Sequence, residues 1–161
     1  MTPAVEQYFT FRIGGDDYAV PLLRMREILA FRPLTRIPAT PAYIRGVFSL
    51  VGEMIPVLDL SIKFGFGETA IHPRSCVVVT EIEVDDEPMV LGLLVDEIGE
   101  VIEMPREALE PPPPFGMRVR LDYLAGVGRL GGRVFLLLDL EHVISSLEIF
   151  GFNRLAAASA P

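Results

Sequence analysis

Residues 43–64 read YIRGVFSLVGEMIPVLDLSIKF, and eighty residues later 123–144 read YLAGVGRLGGRVFLLLDLEHVI. The stretches share Tyr43/Tyr123, Gly46/Gly126, Val47/Val127, Leu50/Leu130, Gly52/Gly132, Leu58/Leu138, Asp59/Asp139 and Leu60/Leu140, which is 8 identities in 22 positions. Ordinary residue usage gives about one or two by chance, so the chain carries a duplicated unit. Each copy reads as a short strand, a turn at Val51-Gly52 or Gly131-Gly132, a second strand, and an Asp that opens a short helix. Asp59 and Asp139 are predicted N-caps, whose carboxylates accept from the free amides of the first helical turn. Their recurrence at the same place assigns them to structure and not to catalysis. Positions 54–58 and 134–138 are nearly continuous apolar runs, the pattern of strands buried on both faces or closed in a tight barrel. Pro56 interrupts the first run and predicts an edge or a bulge there, because it has no amide to donate.

A weaker correspondence upstream, at a lag of 73, sets YAVPLLRMREIL (18–29) over LGLLVDEIGEVI (91–102) and aligns Met25 with Ile98, Glu27 with Glu100 and Ile28 with Val101. Further strands are predicted at 7–13, closed by Gly14-Gly15-Asp16-Asp17, and at 76–82 and 89–95, separated by Asp85-Asp86-Glu87-Pro88. Proline joints at 37–41 and 111–114 break regular structure. Roughly ten short strands and two short helices make an all-β fold of two similar small barrels. Each barrel is marginal by itself, so a face buried between them is expected. At 161 residues this is one domain over 1–150 made of two β-barrel subdomains. The boundary falls near 70–85, the N-terminal strand is a candidate partner of the second subdomain, and 151–161, ending AAASAP, is a tail with little to pack.

The chain holds 14 Lys plus Arg against 22 Asp plus Glu, a net charge of −8. That balance argues against nucleic acid, which needs a basic face. The excess is local: residues 1–80 sum to +1 and 81–161 to −9, a solvated acidic surface in the simplest reading. Lys63 is the one lysine. No apolar run approaches the roughly 20 residues that span a bilayer, no leader pattern opens the chain, and the single Cys76 has no internal disulfide partner, so a cytoplasmic home is expected.

Chemistry is sparse. His72 and Cys76 supply two soft ligands where zinc takes three or four, and they read as a loop histidine and a strand cysteine. His142 lies 70 residues from His72. There is no GxSxG, no Walker loop, and no GxGxxG after a strand. Gly126-Val127-Gly128 reads as a bulge or close backbone approach, and Asp85-Asp86 as a solvated turn. No catalytic, cofactor or metal site is nominated.

The ordered segments YAVPLLRMREIL, TRIPATPAYIRGVFSLVGEMIPVLDLSIKFG, VLGLLVDEIGEVIEM, EPPPP and YLAGVGRLGGRVFLLLDLEHVI together resemble the CheW family of chemotaxis coupling proteins, from about residue 6 to residue 147. The resemblance implies two five-stranded SH3-like barrels packed together, with a short helix after the second hairpin strand of each repeat. It implies a non-enzymatic scaffold of a two-component system, linking the cytoplasmic tip of methyl-accepting chemotaxis receptors to the regulatory domain of a CheA-type histidine kinase. The protein would then be cytoplasmic, associated with membrane receptor arrays, without direct membrane insertion. The family positions matching a partner-binding groove between the barrels are Met25, Glu27, Ile28, Gly46, Leu50, Val51, Ile98 and Val101. Kinase contact would use the barrel ends.

One departure stands in the best motif: the family usually has N-L-R-G where this chain reads Ser49-Leu50-Val51-Gly52. Glu27, the usual partner of that arginine, then needs another cation, for which Arg24, Arg26 and Arg45 are candidates. The departure fits a branch serving a type IV pilus or another chemosensory output. An alternative of another class is a small-ligand-sensing β-barrel regulator. Gly46→Asp is expected to crowd a close backbone approach and weaken receptor coupling with the fold retained.

Overall fold

The computed structural model describes residues 5–84, 86–114 and 116–144; the tail expected at 151–161, and Asp85 of the acidic turn, lie outside them. Strands β1 (Val5–Ile13), β2 (Asp16–Pro21), β3 (Met25–Ala30), β4 (Ile44–Leu50) and β5 (Glu53–Asp59) lead into a four-residue helix α1 (Leu60–Lys63). They are followed by β6 (Cys76–Val84), β7 (Glu87–Val95), β8 (Glu97–Pro105), the two-residue β9 (Leu109–Glu110), β10 (Leu124–Leu130), β11 (Arg133–Leu138) and helix α2 (Leu140–Val143). The all-β class, the two similar barrels and the short helix after each second hairpin strand are all present. One sheet runs β3-β6-β7-β5-β4 and the other β8-β1-β2-β11-β10-β9.

The two copies of the duplication do not fold as two halves. Strands β1–β5 are the first copy and β6–β11 the second, yet β6 and β7 complete the barrel of β3, β4 and β5, while β1 and β2 complete that of β8 to β11. The two sequence lags meet in the parallel ladders that make this exchange. Val57 pairs with Gly92 between β5 and β7, and Leu137 pairs with Ala19 between β11 and β2, so a residue matched at 80 meets a residue matched at 73 in both barrels. The bulges recur as well. The β4–β5 ladder shifts between Ile44 and Gly46, and the β10–β11 ladder between Leu124 and Gly126. The edge strands carry another pair of bulges, one beside Met25/Glu27 and one where β8 passes Phe9/Phe11. The chain passes from one sheet to the other between Val95 and Glu97, beyond the 70–85 boundary of the sequence reading, because the β6–β7 hairpin belongs wholly to the first barrel.

Pro56 corrects a second expectation. Strand β5 is interior, with β4 on one side and β7 on the other. Its partner Val47 exchanges both backbone hydrogen bonds with Thr35 on the far side of β4, at 2.9 and 2.8 Å. The 47–56 pair is therefore not a hydrogen-bonded one, and the nitrogen of Pro56 faces β7, whose ladder begins one residue later at Val57. The missing donor lies just before the first pair of that ladder.

Alternation along the strands sorts the core into three parts. Val77 and Val79 point into the first barrel with Phe48, Ile55, Val57 and Leu94, while Val78 between them points to the seam. Tyr8, Ala19, Met104, Phe135 and Leu137 fill the second barrel. The largest cluster spans both sheets, joining Phe9, Phe11 and Tyr18 of one to Leu58, Val78 and Leu93 of the other. The seam is a shared core packed solid, as two barrels too small to stand alone require.

Both predicted caps are formed, in different settings. Asp139 accepts from the His142 amide at 3.2 Å and touches His142 Nδ1 at 2.7 Å near the surface. Asp59 is fully buried: it accepts from the Ser61 amide (3.1 Å), the Thr69 amide (2.9 Å), the Thr69 hydroxyl (2.6 Å) and Arg45 Nη1 (2.8 Å). Four donors on one carboxylate tie α1, β4 and the loop after α1 together. Asp59→Ala removes the buried partner of Arg45, which keeps only Glu68 and the Thr69 carbonyl, and leaves buried amides unmet, so it should destabilise by about 3–5 kcal/mol. Asp139→Ala should cost about 1 kcal/mol, the value of an ordinary cap. Thermal or urea unfolding of the two variants checks the order; equal losses would refute the buried-anchor role.

Candidate partner-binding surface

Among the described residues the titratable groups form no catalytic constellation. His72 is exposed and its Nδ1 accepts from the Arg74 amide at 3.0 Å. The Cys76 thiol donates to the Arg74 carbonyl at 3.4 Å, and burial pushes it up, the wrong direction for a nucleophile. Among the described residues no group of three or more His, Cys, Asp or Glu side chains is placed to hold a metal ion, and no helix is long and apolar enough to cross a membrane.

The eight positions expected to share one groove fall into four places. Glu27, Leu50 and Val51 lie together around a depression of about 400 Å³ at the mouth of the first barrel, with Arg26, Glu53, Val79 and Val90. Met25 and Ile28, on the same strand as Glu27, turn the other way and pack on the shared core. Ile98 and Val101 lie on β8, the edge strand of the other sheet, opposite Phe11 and Phe9, and are 39% and 49% exposed. Gly46 is buried at its bulge. The groove of the sequence reading is thus divided, because the seam that was to form it is filled by the shared core.

Gly46 is a packing residue. It has φ +152°, and a β-carbon there would stand 2.7 Å from the Thr35 carbonyl oxygen and 2.9 Å from Leu34 Cβ. The close backbone approach is as anticipated, but its partner is the chain's own segment, so Gly46→Asp does not leave the fold intact. Even Gly46→Ala should destabilise by about 1–3 kcal/mol, from strain and displaced backbone.

Glu27 obtains none of its three candidate cations. Arg24 reaches Glu141 at 3.4 Å, Arg26 makes a forked contact with Glu81 at 2.9 and 3.3 Å, and Arg45 is taken by Asp59 and Glu68. The alternation of β3 explains Arg26 and Glu27: the bulge sends both outward on the edge. Among the described residues, neither Glu27 nor Glu53 has an ion-pair partner.

Val51 tops the hairpin, 97% exposed at φ +49°. A β-branched residue in the left-handed region costs about 1–2 kcal/mol, where the second copy has Gly131 at φ +57°. Leu23, also 97% exposed, marks a second apolar spot beside Val5, Pro21 and Leu22. Sequence reasoning missed Leu23, which reads as one more apolar residue in PLLRM. It also missed Glu53, Val79 and Val90, which only the register of β6 and β7 against β3 brings beside Glu27. Relief of strain at the tip exceeds the entropy glycine adds to the unfolded chain, so Val51→Gly should raise stability by about 0.5–1 kcal/mol. A drop in melting temperature would refute the strain.

Comparison with known proteins agrees with this architecture. The model of the CheW-like domain matches residues 7–148. The chain is 31% identical over 144 residues to the chemotaxis protein CheW of Klebsiella aerogenes, covering 89% of this chain and 84% of that one. It is 32% identical over 127 residues to the protein FrzA of Myxococcus xanthus, covering 79% and 76%. The crystal structure of the scaffolding protein TtCheW from Thermoanaerobacter tengcongensis superposes with a TM-score of 0.77 at 26% identity, over 89% of this chain and 90% of that one. The similarity runs along nearly the whole chain, and the chain belongs to the CheW family of non-enzymatic chemotaxis coupling adaptors.

Proposed function

We propose that this adaptor bridges the regulatory domain of a CheA-type histidine kinase and the helical cytoplasmic tip of a methyl-accepting receptor, in the cytoplasm at receptor arrays, by means of two separate surfaces. The carrying observation is the division of the eight family positions between two barrels. The mouth of the first barrel, with Glu27, Leu50 and Val51, suits the end of another barrel of the same kind, such as the kinase regulatory domain. The rim formed by Ile98 and Val101 on β8 suits an apolar helix stripe, which docks against partly exposed aliphatic side chains flanked by polar ones. A bridging protein needs its two faces independent, and placing them in different sheets provides that.

The purified chain should bind an isolated kinase regulatory domain with a dissociation constant at or below tens of micromolar, about −6 kcal/mol or stronger; no association at that concentration sinks the reading. Val101→Glu should weaken binding to a receptor-tip peptide hairpin at least tenfold, the scale of a central apolar contact, and leave the kinase-domain affinity unchanged. Equal loss of both partners would show that the two surfaces are one.

A further inference from the structure

The duplication places the same site twice in one molecule, and the copies differ in charge and in the polarity of their floors. In the second barrel Glu100, on the bulged edge strand β8, receives Arg133 from the β10–β11 hairpin, Oε1 to Nη1 at 2.8 Å, and Asp17 of β2 lies 3.4 Å from the same guanidinium. The Arg133 guanidinium also rests over the Phe135 ring at 4.8 Å. Thr10 closes the floor by hydrogen bonds with the Glu100 amide and carbonyl at 2.8 and 2.9 Å. The repeat maps these residues onto the first barrel: Glu100 onto Glu27, Arg133 onto Glu53, Asp17 onto Val90, Leu130 onto Leu50 and Gly131 onto Val51. Thr10 corresponds to Val79 through the shared bulge. These counterparts are the lining of the depression at the mouth of the first barrel.

One copy is therefore closed by a guanidinium held in cis, and the other has a carboxylate where that guanidinium comes from. Its floor is aliphatic, Val79, Val90 and Leu50, in place of the polar Thr10 and Asp17. Two carboxylates line it, neither with an ion-pair partner among the described residues, and Arg26 beside them is engaged by Glu81. We infer that the first barrel takes an arginine side chain of its protein partner, with the guanidinium between Glu27 and Glu53 and the aliphatic stem over Leu50, Val79 and Val90. Arginine is indicated over lysine because a planar fork can meet two carboxylates at once, and its weaker hydration lowers the cost of burial against valines. The occupant chemistry is the one the molecule displays in its own second barrel. This rests on the proposal that the barrel mouth meets a protein partner, and it makes Glu27 and Glu53 specificity determinants: a partner lacking that arginine is refused by two facing, unneutralised carboxylates.

The test titrates N-acetyl-L-arginine methylamide into the intact chain and follows the methyl signals of Leu50, Val51, Val79 and Val90, with the lysine and citrulline analogues alongside. Saturable shifts confined to this hairpin at millimolar arginine, weaker ones with lysine and none with citrulline are expected. Glu27→Gln with Glu53→Gln, both at exposed positions, should lower the response at least tenfold with an unchanged melting temperature. Glu53→Arg copies the second barrel, fills the site in cis, and should abolish the response. Absence of shifts with the natural chain, equal shifts with citrulline, or survival of the response in either variant overturns the inference. A natural chain that binds the kinase regulatory domain as tightly as the double variant refutes the arginine site and leaves the adaptor reading standing. A chain that takes arginine yet binds no regulatory domain does the reverse.

Discussion

Two parallel strand pairings, β5 with β7 and β2 with β11, hold this protein together. Each joins a strand of one copy of the duplication to a strand of the other, so neither barrel can close without its counterpart. Parallel neighbours need long crossovers: β5 reaches β7 through α1 and β6, and β2 reaches β11 through β3 to β10, which includes all of the other barrel. The exchange accounts for the solid seam: chains that pass between two barrels carry their apolar faces with them, and Phe9, Phe11, Leu58 and Val78 meet in one core. Cooperative stability of a domain this size comes from that shared surface and not from two small cores in sequence.

Because the architecture is doubled, divergence between the copies can be read residue by residue. The caps show it first. Asp139 needs only a helix start, whereas Asp59 gathers Arg45 and Thr69 and pins the loop after α1, which withdraws Arg45 from any surface role. The hairpins show it again: Gly131 turns freely where Val51 is held in a disfavoured conformation with its side chain in solvent.

A chemotaxis coupler has no reaction to perform, and its physical task is to offer distinct faces of fixed geometry. Edge strands suit that task, since β3 and β8 each carry a bulge that turns neighbouring side chains outward together. The mouth of the first barrel and the β8 edge lie in different sheets, joined by the shared core of the seam.

Much of this was legible in the sequence. Identities at 80 and 73 residues, strand pairs around glycine turns, and Asp59 and Asp139 as caps are local signals, since they depend on period, turn chemistry and the free amides of a helix start. The family positions were also legible as residues. Their grouping was not: Met25 and Glu27 are two apart with a bulge between them, and only pairing with β6 shows that one faces the core and the other solvent. Pro56 was misjudged for the same reason, because its harmless amide position depends on a ladder that starts at Val57. The sequence by itself determined that there are two copies of an all-β unit and which residues turn and cap them. Tertiary structure alone decided that the copies exchange strands, that the seam is core instead of groove, and that Glu27 and Glu53 line one depression with no ion-pair partner among the described residues, since register between distant strands is set by packing and leaves no local trace.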